Sequence, residues 1–176
     1  MTPAVQLRHF THTDLSDIRQ TLLDVHADAY ADRIHEEFVQ RFPWFVDHWG
    51  GREGFACVIA FDGGEAVGFT YGSPSEPDRE WWRDYLDPAP TDPSTFAVSE
   101  LMLRPKWRKQ GLGERLHAAL LDARPEALAV LTVDTKRPRL QALYEEWGYR
   151  KIGERQPFPD SPVYAVMLAE LPLANT

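Results

Sequence analysis

Basic residues and glycines are concentrated in one segment, Leu101–Gly113, which links an apolar stretch to an amphipathic one. Its second half reads Arg108-Lys109-Gln110-Gly111-Leu112-Gly113. At the start of a helix the first backbone N–H groups have no intrahelical partner, and the helix dipole adds positive potential there. Glycines also let a bulky phosphate approach the backbone. The segment therefore predicts a strand, an anion-binding loop and a helix, with chemistry suited to a pyrophosphate.

Two common nucleotide-binding motifs do not fit this segment. A dinucleotide fingerprint needs a third glycine at position 116, where the chain has Leu116. A P-loop needs Gly-Lys-Ser or Gly-Lys-Thr, and neither occurs in the sequence. A second basic group follows at Lys136, Arg137 and Arg139. Taken alone, either basic group is better explained as solvated surface charge.

Length and composition limit the class of protein. The chain has 176 residues, 43% hydrophobic and 26% charged, which predicts one globular domain over residues 1–176. A net charge of −8 disfavours nucleic-acid partners, whose binding needs basic residues against the phosphates. No apolar run reaches the roughly 20 residues of a membrane helix. Cys57 is the only cysteine, and no histidine pair has metal-ligand spacing, so we expect a cytoplasmic protein without a metal site.

The elements around the basic segment alternate between strand and helix patterns. Apolar residues at spacings of three and four predict helices over residues 14–30, 31–48, 111–123 and from Pro138 to Gly148. Apolar stretches predict strands near residues 5–8, 55–61, 66–71, 95–103, 129–133, 150–153 and 163–168. Residues 72–94, rich in proline and acids, predict a long loop. The order predicts an α/β layered fold.

Two motifs in this order resemble those of the GNAT superfamily of acyl-CoA-dependent N-acetyltransferases. Residues 108–113 are similar to its Arg/Gln-x-x-Gly-x-Gly/Ala loop, and the preceding strand is similar to its Glu-Leu-x-Leu-x-Pro pattern. Leu143-Tyr144-Glu145-Glu146-Trp147-Gly148-Tyr149 resembles the Leu-Tyr-Glu-Lys-x-Gly-Phe segment that follows downstream. The element order resembles the family along nearly the whole chain. The resemblance implies a mixed, mostly antiparallel central sheet flanked by helices, with the acetyl-CoA-binding core at about residues 95–150.

The resemblance also implies roles for individual residues. The backbone of Leu101, Met102 and Leu103 would pair with the pantetheine arm. The loop would hold the pyrophosphate through Arg108, Lys109, Gln110, Gly111, Leu112, Gly113 and Glu114. Tyr144 would protonate the departing CoA thiolate; without the motif, its helical spacing would indicate a core aromatic instead. Many family members carry Asn seven residues before the tyrosine, where this chain has Arg137. We therefore expect Arg137 or Arg139 to reach a CoA phosphate.

An amine acceptor requires a proton acceptor, because an alkyl amine with a pKa of about 10 is mostly protonated at neutral pH. Glu100 is the candidate general base, since a carboxylate inside an apolar strand is costly to bury unless it is partnered or used. A purely structural hydrogen-bonding role is an equally good interpretation. Direct transfer in a ternary complex follows, because no residue pattern indicates a covalent intermediate.

The acceptor is expected to be a small-molecule amine, bound by the first two helices and the 72–94 loop. The acids of that loop and the pair Trp81 and Trp82 suggest a cationic acceptor, although a solvated acidic loop explains them as well. A protein or peptide acetyltransferase and a catalytically inactive acyl-CoA sensor remain open. A homodimer is implied by the resemblance alone.

Overall fold

A computed structural model describes residues 5–173, which form seven strands and five α-helices. The strands are β1 (Gln6–Thr11), β2 (Ala56–Asp62), β3 (Glu65–Pro74), β4 (Thr95–Leu103), β5 (Leu128–Asp134), β6 (Arg150–Arg155) and β7 (Tyr164–Glu170). The helices are α1 (Leu15–Ala29), α2 (Glu37–Gln40), α3 (Phe42–Gly50), α4 (Leu112–Leu121) and α5 (Pro138–Glu146). No helix within residues 5–173 has the length and apolar character needed to cross a bilayer.

The strands form one sheet in the order β1-β2-β3-β4-β5-β7-β6. β4 and β5 are parallel, whereas β1–β2, β2–β3, β5–β7 and β6–β7 are antiparallel. The parallel pair is separated in sequence by α4, as a parallel connection requires. The predicted fold class, a mixed and mostly antiparallel sheet flanked by helices, is confirmed.

The chain divides into two compact units. Unit 1 contains the chain up to Ser73 together with Glu100–Leu120, and unit 2 contains Pro74–Ser99 and the chain from Leu121 onward. In unit 1, one face of α1 and α3 packs on the sheet. The buried residues of that core are Ile18, Leu22, Val25, Ala29, Phe42, Val46, Phe55, Cys57, Ile59, Ala66, Phe69, Tyr71 and Met102.

Within unit 1, β3 and β4 approach closely at Gly68. A Cβ atom at this position would lie 2.4 Å from Leu103 Cδ2 and 2.8 Å from the Met102 carbonyl oxygen, so only glycine allows the observed spacing. The backbone N–H of Arg104 donates to the Val67 carbonyl over 2.8 Å. These contacts set the position of β4 against β3, and with it the position of Glu100.

Unit 2 has its own core, built on Trp82. This side chain is fully buried and packs with Ala97, Leu128, Val130, Val166 and Leu168. Its indole Nε1–H donates to Thr95 Oγ1 over 2.8 Å. Trp82 therefore anchors the segment before β4 to the sheet.

Two sequence predictions differ from the structure. Residues 31–48 do not form one helix but a 3₁₀ turn, Ala31–Arg33, followed by α2 and α3. Pro43 does not interrupt a helix; it lies in the first turn of α3, where the missing N–H has no intrahelical partner to lose. The loop predicted over residues 72–94 begins later, because β3 continues to Pro74.

Candidate functional site

The basic segment of unit 1 forms a backbone concavity at the start of α4. β4 ends at Leu103, a 3₁₀ turn covers Pro105–Trp107, and α4 begins at Leu112. Lys109 and Gly111 have left-handed backbone angles, with φ of 63° and 78°. Alternation of left- and right-handed residues turns successive N–H groups toward one side, which is the geometry of an anion-binding nest. The predicted loop residues Arg108 to Glu114 lie between the 3₁₀ turn and the first turn of α4, and their binding role stays a prediction.

The arginines of this segment have different environments. Arg104 is held inside unit 1, because its Nε donates to the Ala66 carbonyl over 2.8 Å and its Nη1 lies 3.3 Å from Asp28 Oδ2. Arg108 is exposed, and its Nη2 donates to the Ala29 carbonyl at the end of α1 over 2.9 Å. That bond ties the loop to α1, and the Arg108 backbone N–H donates to the Pro105 carbonyl over 3.3 Å.

The end of β4 is left outside the pairing with β5. β5 pairs with β4 only over Thr95–Ala97. The backbone of Leu101, Met102 and Leu103 therefore has no partner in β5. Unpaired strand backbone offers N–H and C=O groups that an extended ligand can bond as an added strand would. The segment predicted to hold a pantetheine arm has backbone suited to that contact.

Glu100 lies half-buried in β4, and burial raises the pKa of its carboxyl to about 8. Because side chains alternate along a strand, Glu100 shares its face with Met102, a member of the unit 1 core. Its backbone carbonyl accepts a bond of 2.7 Å from the Thr70 hydroxyl. No basic side chain among residues 5–173 forms an ion pair with its carboxylate. A carboxyl in this environment can exchange a proton near neutral pH.

Tyr71 is the principal neighbour of Glu100 that sequence reasoning missed. It is fully buried, and its pKa is raised well above 10, first by burial and then by the charges of Glu100 and Cys57. Ser73 lies two residues further along β3 and is also buried. The sequence could have indicated this pair, because Tyr71 and Ser73 are hydroxyl-bearing residues at i and i+2, on one face near the end of a mostly apolar strand.

Unit 2 carries the remaining predicted residues on and before α5. Tyr144 is 6% exposed, and its ring contacts Trp147 and Tyr149 edge-on, with centroids 5.1 and 5.8 Å away. Arg137 precedes the helix and Arg139 lies in its first turn, both exposed. Their charges are therefore available to an anionic ligand, whereas Tyr144 is fixed in an aromatic cluster.

The proposed cation-binding role of the proline-rich loop needs correction. Trp82 packs in the core of unit 2, and its indole N–H already donates to Thr95 Oγ1, so its predicted contact with a ligand is wrong. Glu80 is 6% exposed and accepts two bonds of 2.8 Å from Arg83 Nη2, so its charge is neutralised. Asp78 also lies near Arg83, at 3.7 Å. Within residues 5–173, no group of three or more His, Cys, Asp or Glu side chains could hold a metal ion.

Comparison with known proteins gives a family match. Residues 18–149 match the model of the Acetyltransferase (GNAT) family. The search of curated proteins found no significant match.

Solved structures share the fold at low sequence identity. Escherichia coli ElaA is 12% identical, with a TM-score of 0.67 and coverage of 95% of this chain and 100% of that one. The PaiA N-acetyltransferase of Thermoplasma acidophilum, solved with coenzyme A, is 13% identical, with a TM-score of 0.62 and coverage of 95% and 99%. Arabidopsis thaliana NAA60, solved with a bisubstrate analogue, is 16% identical, with a TM-score of 0.64 and coverage of 96% and 99%.

The raised pKa of Glu100 predicts a pH-dependent stability difference between wild type and Glu100→Gln. The carboxyl ionises near 4.5 when unfolded and near 8 when folded, so between these values the folded state holds the extra proton. Wild-type stability therefore falls as pH rises through this window. From about pH 5 to about pH 9, wild type should lose about 1–3 kcal/mol relative to the glutamine variant.

Urea unfolding of both proteins across this pH range measures the effect. Met102→Leu is the matched control, because it changes the same strand face without altering a titratable group. Its pH profile should run parallel to that of wild type. A constant difference between Glu100→Gln and wild type would show that Glu100 titrates alike in both states.

Proposed function

The chain belongs to the Acetyltransferase (GNAT) family, and from that premise we propose that it transfers an acetyl group from acetyl-CoA to the amine of a small molecule. The observation that carries the proposal is the left-handed pair Lys109 and Gly111 at the start of α4, following a strand end that β5 leaves unpaired. These two features support a phosphate-binding loop next to backbone that could pair with an extended chain. CoA contains both groups, a pyrophosphate and a pantetheine arm.

Residues of several segments are assigned to CoA in this proposal. Backbone N–H groups from Lys109 to Glu114 would bond the pyrophosphate, supported by the dipole of α4 and the charge of the Arg108 side chain. The backbone of Leu101, Met102 and Leu103 would bond the amides of the pantetheine arm. Arg137 and Arg139 would contribute positive charge to a phosphate, because both are exposed and form no ion pair with residues 5–173.

Glu100 and Tyr144 are proposed to move the two protons of the reaction. The amine nitrogen attacks the thioester carbonyl, and Glu100 accepts the proton that the nitrogen loses, directly or through water. The carbon–sulfur bond then breaks, and Tyr144 donates its proton to the departing sulfur. The products are an amide and CoA. A backbone N–H of residues 100–103 would stabilise the oxyanion formed between these steps.

A thermal-shift experiment tests the cofactor proposal. The purified protein is unfolded with acetyl-CoA, CoA, NAD or ATP. A ligand at about 100 times its dissociation constant stabilises the protein that binds it by roughly 2.7 kcal/mol. We expect this shift with acetyl-CoA and CoA only. The absence of a shift with either CoA ligand would contradict the proposal.

Replacement of Tyr144 by phenylalanine tests the acid. Because the ring and its contacts with Trp147 and Tyr149 are retained, acetyl-CoA affinity should stay unchanged while kcat falls about 100-fold. Tyr149→Phe, in the same aromatic cluster, serves as control and should retain kcat. An acyl thioester with a more acidic thiol leaving group should reduce the Tyr144→Phe defect. A kcat equal to that of wild type would exclude Tyr144 as the acid.

The pH dependence of kcat/KM for the amine tests the base. In wild type, kcat/KM should rise with pH through about 8 as Glu100 loses its proton. A second rise reflects deprotonation of the amine itself near about pH 10. Glu100→Gln should lower the rate and retain only the second rise, whereas Met102→Leu should retain both. Full turnover of Glu100→Gln at every pH would remove Glu100 from this role.

A further inference from the structure

Three polar side chains of unit 1 meet on the sheet face that carries its apolar core. Tyr71 and Ser73 are at i and i+2 on β3, so they project to the same side, together with the core residue Phe69. Glu100 shares its side of β4 with the core residue Met102 and interacts with Tyr71. Glu100 is half-buried, whereas Tyr71 and Ser73 are 0% and 1% exposed.

The two hydroxyl groups lack hydrogen-bond partners. Neither Tyr71 Oη nor Ser73 Oγ bonds to any atom of residues 5–173, although both atoms are buried. A buried hydroxyl without a partner costs about 1–3 kcal/mol, and folded proteins seldom retain one without a reason. Two such groups on one strand face, beside an ionisable carboxyl, indicate a site that is completed by a ligand.

The charge around this face favours a cation over an anion. The pKa of Glu100 is raised by burial, with no cationic partner among residues 5–173. Arg104 is already bonded to the Ala66 carbonyl and Asp28. Burial lowers the pKa of His26, which stacks on Phe42, to about 4, so it is neutral at pH 7. A ligand carboxylate would therefore find no cationic partner on this face, and it would repel the Glu100 carboxylate once that group ionises.

Aromatic rings form the apolar part of the same face. The rings of Phe55 and Phe69 lie 5.3 and 5.9 Å from that of Tyr71, and Phe42 lies 6.2 Å from Phe69. These rings make the surroundings of the Tyr71 hydroxyl apolar, and aromatic faces attract an ammonium group. Residues two apart on a strand have Cα atoms about 7 Å apart, so the positions of Tyr71 and Ser73 span a short ligand only.

We propose that Tyr71 and Ser73 are specificity residues that select, as acceptor, a compact primary amine carrying a second hydrogen-bonding group and no carboxylate. An amino alcohol or a short diamine has this chemistry. The inference rests on the proposed function for the transfer itself. The reactive nitrogen is bound at Glu100, and the second polar group bonds to the Tyr71 and Ser73 hydroxyls, which thereby gain their partners.

Specificity ratios provide the test. Acetyl transfer is measured with ethanolamine, 1,3-diaminopropane, n-propylamine and β-alanine. Wild type should prefer ethanolamine or 1,3-diaminopropane to n-propylamine by about 10-fold or more in kcat/KM, and β-alanine should be poorest. Tyr71→Phe and Ser73→Ala should each lower the preference for the polar amine, which is its kcat/KM divided by that of n-propylamine, about 10-fold. The loss should come from a higher KM for the polar amine. If Tyr71 and Ser73 served only to stabilise the fold, their replacement would leave this kcat/KM ratio unchanged.

The stability of the ligand-free variants gives a second test, in which Tyr71→Phe and a control variant should change in opposite directions. Tyr71→Phe removes a hydroxyl that has no partner, so the ligand-free variant should be as stable as wild type or more so. Tyr85→Phe removes a hydroxyl that donates to the Glu154 carbonyl over 2.7 Å. It should lower stability and leave the specificity ratios unchanged.

The outcomes separate this inference from the proposed function. If transfer occurs and both variants retain the wild-type ratios, Tyr71 and Ser73 do not select the acceptor, while the proposed function stands. If transfer is absent but ethanolamine raises the melting temperature of wild type and not of Tyr71→Phe, the amine site stands and the proposed function fails. A preference for β-alanine, or neither binding nor transfer with any of the four amines, would overturn the inference.

Discussion

The close approach of β3 and β4 at Gly68 determines where the chemical groups of unit 1 lie. A side chain at this position would overlap Leu103 and the Met102 carbonyl, so the strands can come together only because residue 68 has none. With the strands in contact, the Thr70 hydroxyl reaches the Glu100 carbonyl and the Arg104 guanidinium reaches the Ala66 carbonyl. The first contact places Glu100 beside Tyr71, and the second directs the chain from β4 into the loop before α4. One packing constraint thus positions the carboxyl and the anion-binding loop together.

The same face of the sheet shows a conflict between stability and function. The core around Phe69 would be more stable with apolar residues in place of Glu100, Tyr71 and Ser73, since burial raises the pKa of the carboxyl and leaves two hydroxyls without partners. Side chains that lower stability and have no structural partner are expected where a ligand completes the site. The packing of α1 and α3 over Leu22, Val25 and Phe42 supplies the stability that offsets this cost.

Local patterns were sufficient where one short segment determines the structure. Helix α5 follows from apolar spacing between Pro138 and Gly148, and Gly148 has the positive φ, 110°, that a residue just after a helix commonly adopts. The hairpin of β2 and β3 follows from Asp62 to Glu65, which form its closing pair. The loop around Gly111 follows from its motif. In each case the decisive neighbours are adjacent in sequence.

Local patterns failed where partners are distant in sequence. Trp82 lies among acids and prolines, which suggested exposure, but its place in the core depends on Val130 and Val166. The missing partners of Tyr71 and Ser73 are likewise a property of the whole packed face, and no local pattern reveals an unsatisfied group. Residues 31–48 have helical spacing, yet Pro43 fits only the first turn of a helix, so the chain begins a new one there.

The regions proposed to bind the two substrates differ in their local charge. The chain carries a net charge of −8, which repels anions in general and attracts cationic amines. An anionic CoA must therefore be captured by local groups, and the exposed Lys106, Arg108 and Lys109 lie at the loop whose backbone N–H groups form the concavity. Elsewhere in unit 1, the buried face around Glu100 holds no unpaired positive charge among its described neighbours, because His26 is neutral and Arg104 is paired. Separation of charge by location would let the same chain bind the two proposed substrates, a polyanion and an amine, without either being attracted to the other's site.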